Sequence, residues 1–460
     1  MRTGTTTIVL VTINLNNGVG AEVGSLNLGA LSLERNPDIS FRNSDNVLHA
    51  YFQIPNGGFQ TLGTININTG AASAIGLTGV SGGGNGIAFS AADILFHGRT
   101  FTIDQTLNTM NQNTGASSTL FNVVWPSTGD FGRPNAMDIE PGTGVLFLSI
   151  GSGGGGGGSG AIANAAAAIA TGIADCVVVF RALAQGQFGR FGQGPQRKTI
   201  VGDMAHTVPF GLMSPAQMFA MKVQRFMADH GVEQAALRSI SLASYEHAQN
   251  NPRAVMYDKP LDEATYDASR WIVEPFHLYD CCQENDGAAA MVLVAADAAK
   301  DFANEPAYVL AAVAGSHYRA GAGVHNTPDY ATSTFKTLAP RLYEMAGVSP
   351  AEVDVLQSYE NFTGGVLMSI VEHGFCTPDG CNDYFVKERF VAPSGALPLN
   401  TSGGNLAECY MHGLGLNIEA VRQLWGSSTN QVPDASVSMV ISGPMVTPVS
   451  ACIFGREAVL

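Results

Sequence analysis

Charge is scarce in this sequence. Only 13% of its 460 residues are Asp, Glu, Lys or Arg, about half the usual share. That excludes a disordered acidic tail and a long coiled coil, both of which need charge at high density. The charge that is present leans acidic: 23 basic against 38 acidic residues give a net charge of −15 and a pI of 5.0. A nucleic-acid groove or an anionic membrane surface is therefore a poor main partner. Long apolar runs are missing as well. The nearest approach to a membrane span, Ala161–Leu183, is broken by Asn164, Asp175 and Arg181 and reads as a buried helix followed by a buried strand. At the start of the chain, Ile8–Ile13 is short, is interrupted by Thr12 and precedes no small-residue cleavage site, so no secretory signal is read there.

Lysine and cysteine are absent from residues 1–150, whose only basic residues besides His are Arg2, Arg35, Arg42, Arg99 and Arg133. The seven cysteines, Cys176, Cys281, Cys282, Cys376, Cys381, Cys409 and Cys452, all follow. An odd number at irregular spacing in a long chain does not read as a secreted disulfide framework, and reduced thiols in a cytoplasmic protein are expected.

Glycine is the residue in excess, with 54 copies. Some of it belongs to a repeat. Gly63-Thr-Ile-Asn-Ile-Asn-Thr-Gly-Ala71 returns as Thr109-Met-Asn-Gln-Asn-Thr-Gly-Ala116, with Asn68 and Asn113 45 residues apart. Asn85-Gly-Ile-Ala-Phe89 is answered by Asn135-Ala-Met-Asp-Ile139. Short alternating strands joined by Asn-Thr-Gly turns at a period of 40–50 residues predict β-propeller-like repeats over 1–150, with two to three blades and so an incomplete ring. This segment holds no paired carboxylates, His cluster or nucleophile.

The run Gly151-Ser-Gly-Gly-Gly-Gly-Gly-Gly-Ser-Gly160 has the composition of a flexible junction. Yet it leads directly into an Ala-rich helix ending near Gly172 and a buried strand over Ala174–Phe180, as a tightly packed active-site loop would. Two further segments, 161–335 and 336–460, alternate helical and strand patterns and predict an α/β fold.

Several stretches carry a resemblance to a known family. They are Ser159-Gly160-Ala161 with Thr171-Gly-Ile-Ala-Asp175, Pro209-Phe-Gly211, Asn251-Pro252 and Cys282-Gln-Glu-Asn-Asp-Gly-Ala-Ala-Ala290. Gly347-Val-Ser-Pro-Ala-Glu-Val-Asp354 and, most specific, Leu397-Pro-Leu-Asn-Thr-Ser-Gly-Gly404 complete the set. Together they resemble the thiolase superfamily, in its sterol-carrier or lipid-transfer-protein type, over about 155–455. The resemblance implies a fold of two layered αβα halves, with roughly the first 80–90 residues of the first half replaced by the propeller-like segment. The glycine run is then the junction of a natural fusion or of a chimera of two genes, and weak solubility and poor activity are expected of such a chain.

The same resemblance implies that a thiolase would hold its acyl-accepting Cys at the position of Gly157, so covalent acyl transfer has no nucleophile here. In two further matched loops, Tyr359-Glu-Asn-Phe362 and Cys409-Tyr410-Met411, tyrosines stand where the family commonly carries histidines. This pattern resembles the steroid-CoA aldolase branch, which implies retro-aldol cleavage of a β-hydroxyacyl-CoA. Tyr359 and Tyr410 are the expected proton-transfer pair, Asn361, Gly403 and Gly404 the expected oxyanion or substrate contacts, and Cys452 a possible acid/base. Tyrosine ionises near pH 10 unless a positive charge or strong hydrogen bonds help it. An acyltransferase or thiolase, and a non-catalytic lipid- or acyl-CoA-binding protein, are the alternatives. No cofactor or metal is expected beyond the CoA thioester substrate, since His373, Cys376, Cys381, Cys409 and His412 match no regular zinc spacing. A DUF35-type partner with an OB fold and zinc ribbon, and a homodimer, are implied by the resemblance, and nothing points to nucleic acid.

Overall fold

The computed structural model describes residues 2–3, 7–13, 20–25, 38–42, 44–52, 61–69, 71–79, 86–89, 93–100, 105–122, 134–139 and 146–150, and then 156–172, 174, 176–184, 200, 205–321, 323 and 326–456. The chain divides into two units, Met1–Gly153 and Gly154–Leu460.

The first unit is built of antiparallel strands. β1 (Arg2–Thr3), β2 (Thr7–Ile13) and β3 (Gly20–Ser25) form one sheet, and β12 (Pro134–Ile139) pairs with β13 (Leu146–Ile150). Between them lie two four-stranded meanders. One runs through β4 (Asp38–Phe41), β5 (Leu48–Phe52), β6 (Thr61–Ile65) and β7 (Ala72–Leu77). The other runs through β8 (Gly86–Phe89), β9 (Leu95–Thr100), β10 (Gln105–Met110) and β11 (Ser117–Asn122). The sequence repeat is a repeat of turn chemistry. The Asn66 amide donates to the Ala71 carbonyl at 2.8 Å and Asn111 to Ala116 at 2.8 Å. In each turn the first Asn side chain caps the next two free amides: Asn66 Oδ1 accepts from Asn68 at 2.9 Å and Thr69 at 3.1 Å, and Asn111 Oδ1 from Asn113 at 2.9 Å and Thr114 at 3.1 Å. Asn is chosen because its side chain folds back on its own backbone. Among the described residues none of these sheets closes into a barrel or ring.

The second unit begins with α1 (Gly157–Ala170), whose small residues let it lie deep, with Gly158, Ser159, Ile162 and Ala165 buried. Gly172, at φ 72°, ends it in the left-handed conformation that glycine adopts without strain. The strand that follows, β14 (Cys176–Ala184), starts and ends later than its composition predicts. It pairs antiparallel with β17 (Asp286–Val294). A short hairpin, β15 (Trp271–Val273) with β16 (Phe276–His277), precedes β17. The second sheet has the order β18-β21-β20-β19, from β18 (Tyr308–Gly315), β19 (Val355–Ser358), β20 (Val437–Ser442) and β21 (Val449–Gly455), and only the β19–β20 pair is parallel. Mixed helices and strands thus agree with the α/β expectation.

Helices pack on these sheets with the boundaries their sequences encode. In Pro215–His230, Ser214 and Gln217 form a capping box, Pro215 opens the first turn and Gly231 closes the last at φ 64°. Gly364, in the helix Thr363–Glu372, faces Val223 of that helix so closely that a Cβ would stand about 2.5 Å from Val223 Cγ1. The outer face of β14–β17 is apolar and uncovered among the described residues, with Val178, Phe180 and Val292 each more than half exposed.

Two carboxyls, Glu372 half-buried and Glu360 buried, anchor the loops around the second sheet. Glu372 accepts from Thr332 Oγ1 at 2.6 Å, Ser333 N at 2.9 Å, Ser333 Oγ at 2.7 Å and Phe335 N at 2.7 Å. Glu360 accepts from Asn405 N at 3.0 Å and Ser244 Oγ at 3.4 Å. Burial pushes the Glu360 carboxyl up to about 8, against hydrogen bonds that pull it down. Unfolded, the same group titrates near 4.5. Its stabilising contribution is therefore complete below the unfolded value and is lost as pH rises through the folded one. Glu360→Gln, which keeps an acceptor for the Asn405 amide, is expected to be more stable than the parent at pH 8 by a few kcal/mol and to flatten the decline between pH 5 and 8. Urea unfolding of both proteins at the two pH values measures this, and parallel declines would refute it.

Candidate active site

Strand β19 ends at Ser358, and the next residue is Tyr359. Its backbone amide donates to the Ile441 carbonyl at 2.9 Å, so the tyrosine begins where the sheet still holds the chain. The Asn400 side chain fixes the same point. Its Oδ1 accepts from Ser358 N at 2.7 Å and its Nδ2 donates to Ser358 O at 2.9 Å. The Leu397–Gly404 motif thus acts on the site through backbone, clamping the strand that presents Tyr359.

Tyr410 arrives from the other matched loop. Its amide donates to Asn285 Oδ1 at 2.8 Å, and Asn285 Nδ2 donates to Cys409 Sγ at 3.0 Å. Gly413 completes the loop at φ 79°, and any Cβ there would strike the Tyr359 ring, about 2.6 Å from Cδ2. The two phenols consequently meet: Tyr359 Oη and Tyr410 Oη are 2.7 Å apart, both buried. They share a cluster with Ile162, Val179, Leu414, Leu416, Cys452 and Phe454. In this dry setting burial raises both phenols well above their usual value, and the negative forms of their neighbours add to it. Two features act the other way on Tyr410, its hydrogen bond with Tyr359 and the charge of Arg181.

Arg181 and His412, the latter considered above only as a zinc ligand, also reach this site. Arg181 lies on β14, and its guanidinium hydrogen-bonds to His412 Nδ1. The His412 ring stands edge-on to Tyr410, with centroids 5.0 Å apart at 80°. Burial and the adjacent Arg181 charge lower the imidazole to about 4, so it is neutral at physiological pH. The signal available in sequence was the lone arginine in an otherwise apolar strand.

The other expected residues occupy varied settings. Cys452, on β21, is wholly buried, its thiol donates to the Ser159 carbonyl at 3.5 Å, and burial pushes it up to about 12. Asn361 follows Tyr359 and Glu360 directly. Its Oδ1 accepts from Phe362 N at 2.8 Å, and its Nδ2 makes only a 3.4 Å contact with the Pro444 carbonyl. Gly403 and Gly404 take positive φ of 107° and 59°; the Gly403 amide donates to the Asn400 carbonyl at 2.9 Å, and Gly404 lies directly against the Glu360 carboxyl. Packing against Ala248 and Glu360 therefore accounts for both glycines. Cys282 neighbours both phenols electrostatically, and burial lifts its thiol to about 12. Among the described residues no three His, Cys, Asp or Glu side chains are grouped to hold a metal, and no helix is long and apolar enough to cross a membrane.

Gly157 is the first residue of α1, and a Cβ there would meet nothing within 4 Å. Its neighbour Gly156 faces the Pro448 carbonyl with no room for a Cβ. A Cβ on Gly158 would stand 3.2 Å from the His412 carbonyl oxygen and the Gly413 carbonyl carbon, so the helix start and the Tyr410 loop adjoin. Gly157→Ala is expected to change the melting temperature little or raise it slightly, while Gly156→Ala lowers stability by about 1–3 kcal/mol. Thermal melts of both variants measure the contrast, and equal effects would contradict it.

Residues 317–456 match the thiolase C-terminal domain-like family. The chain is 36% identical over 300 residues to a steroid side-chain-cleaving aldolase of Thermomonospora curvata, covering 63% of this chain and 75% of that protein. It is 36% identical over 301 residues to a 17-hydroxy-3-oxo-4-pregnene-20-carboxyl-CoA lyase of Mycobacterium tuberculosis, covering 62% and 76%. Among solved structures, an Ltp2-ChsH2(DUF35) aldolase superimposes with a TM-score of 0.61 at 36% identity, over 66% of this chain and 78% of that one. With a buried tyrosine pair in the two matched loops and relatives of this kind, the chain belongs to the thiolase superfamily, on the branch that contains the steroid side-chain-cleaving aldolases.

Proposed function

We propose that this chain is a thiolase-fold lyase that breaks the Cα–Cβ bond of a β-hydroxyacyl-CoA by a retro-aldol reaction, with a steroid side chain as the acyl portion. The observation that carries the reading is the 2.7 Å contact between Tyr359 Oη and Tyr410 Oη. One phenolate of the pair takes the β-hydroxyl proton, the C–O bond becomes a ketone, and the bonding electrons move to Cα as a thioester enolate. An acid then protonates Cα, releasing a shortened acyl-CoA. No covalent nucleophile is required, in keeping with glycine at position 157. Asn361 Nδ2, weakly engaged by Pro444, serves as the enolate-oxygen donor, backed by the Gly403–Gly404 turn. Cys452, held as a neutral thiol, is a candidate acid. Acyl transfer and simple acyl-CoA binding are disfavoured by the missing thiol and by the converging phenols respectively.

The likeness to an Ltp2-ChsH2(DUF35) aldolase supports a DUF35-type partner for this chain, with a homodimeric assembly and a cytoplasmic location in the same reading. The two four-stranded meanders of residues 38–122 fit propeller-like blades.

Incubation with a tertiary β-hydroxyacyl-CoA of a steroid side chain, with and without a DUF35 protein, is expected to release ketone and shortened acyl-CoA in equimolar amounts. Tyr359→Phe and Tyr410→Phe each lower kcat by about 10²–10⁴-fold. Unchanged turnover in both variants, or CoA-dependent thiolysis by the parent, would overturn the assignment.

A further inference from the structure

Alternate residues of β14 face inward: Val177, Val179, Arg181 and Leu183. The three apolar ones pack into the cluster that holds Tyr359 and Tyr410. The fourth is a guanidinium, and a charge in such a place is costly unless something compensates it. Among the described residues Arg181 forms no ion pair. Among these residues its one hydrogen bond goes to His412, a neutral ring, and its Nε is buried with no partner. A neutral acceptor orients the guanidinium without cancelling its charge.

The groups around it are few. Helix α1, which packs on β14, carries no titratable side chain. On β17 only Asp286 is charged, at the far end opposite Ala184 and on the exposed face. The loops contribute Cys282, Glu360, Cys409, Tyr359, Tyr410 and His412. Burial keeps the thiol of Cys282 and the carboxyl of Glu360 largely protonated near neutral pH. Arg181 is then the one fixed charge among these described inward groups, and its field reaches the two phenols and the neutral His412 ring.

We infer that Arg181, oriented by His412, is a positioning residue for proton transfer: its uncompensated charge stabilises the phenolate of the Tyr359–Tyr410 pair, Tyr410 first, relative to the same site without it. This rests on the retro-aldol reading above. It also answers the need, raised by the sequence alone, for a positive charge beside a catalytic tyrosine. The arginine acts through Tyr410 and does not itself exchange the proton.

Two measurements on the full chain separate the inference from that reading. The first is the pH dependence of kcat/KM for the β-hydroxyacyl-CoA. Arg181→Gln shifts the rising limb to higher pH by about one unit or more, so that kcat/KM at pH 7 falls about tenfold or more with the loss mainly in kcat, and Arg181→Lys recovers most of it. The second needs no turnover: fluorotyrosine installed at position 410 is titrated by ¹⁹F NMR, and its ionisation midpoint rises in the Arg181→Gln background. Arg181→Met, which removes a half-buried uncompensated charge, is expected to raise the melting temperature while lowering activity. A rising midpoint without any lyase activity supports the electrostatic role and refutes the proposed reaction. Lyase activity with an unmoved limb and an unmoved midpoint overturns the inference alone. Failure of both Arg181→Gln and Arg181→Met to fold marks the arginine as structural and overturns it as well.

Discussion

A single hydrogen bond between two phenols, closed inside an apolar cluster, sets the demands on the second unit. Tyr359 and Tyr410 lie 51 residues apart in sequence and 2.7 Å apart at their hydroxyls. Holding them so requires the backbone on both sides to be fixed. Asn400 grips both polar groups of Ser358, Asn285 receives the Tyr410 amide, and Gly413 lets its loop lie against the Tyr359 ring. Each of these is a polar or steric constraint on main chain, which is stiffer than side-chain packing alone and suited to a geometry held within a few tenths of an ångström.

The same burial that secures the pair works against its chemistry. Removing the phenols from water raises their proton affinity, and negative charge on the nearby Cys282 or Glu360 would raise it further. Besides the phenol–phenol hydrogen bond, the countermeasure among the described residues is Arg181, whose charge would itself be unfavourable there without a function. Glu360 shows the related cost on the stability side. It anchors the turn after Asn400 at the expense of a pH-dependent loss as it ionises. Precise placement and marginal electrostatics go together in this site, as they do wherever a low dielectric makes each charge count.

The resemblance in short motifs was sufficient to identify the superfamily and the branch, because glycines and asparagines at turn and clamp positions are tied to their local backbone. The Asn-Thr-Gly repeat of the first unit was legible for the same reason, and it appears as two matching turns with matching hydrogen bonds. What the repeat could not convey is closure: turn residues specify hairpins, and whether hairpins join into a ring depends on sheet edges far apart in sequence. The paired glycines Gly403 and Gly404 show another limit. Glycine signals a need for space, and here the neighbours that leave none are Ala248 and Glu360.

By itself, the sequence determined the α/β character of the second unit and the turn and clamp residues that carry the superfamily resemblance, with two tyrosines in the loops so matched. These are local facts, written in residue type and spacing. Tertiary structure alone decided that the two hydroxyls touch, that Asn285 and Asn400 hold their backbones, and that Arg181 and His412 stand beside them. Those contacts join positions on β14, the loop before β17, the end of β19 and the loop before the Leu414–Leu424 helix. No spacing rule connects such segments, because their proximity follows from the pairing of sheets and the packing of one shared core.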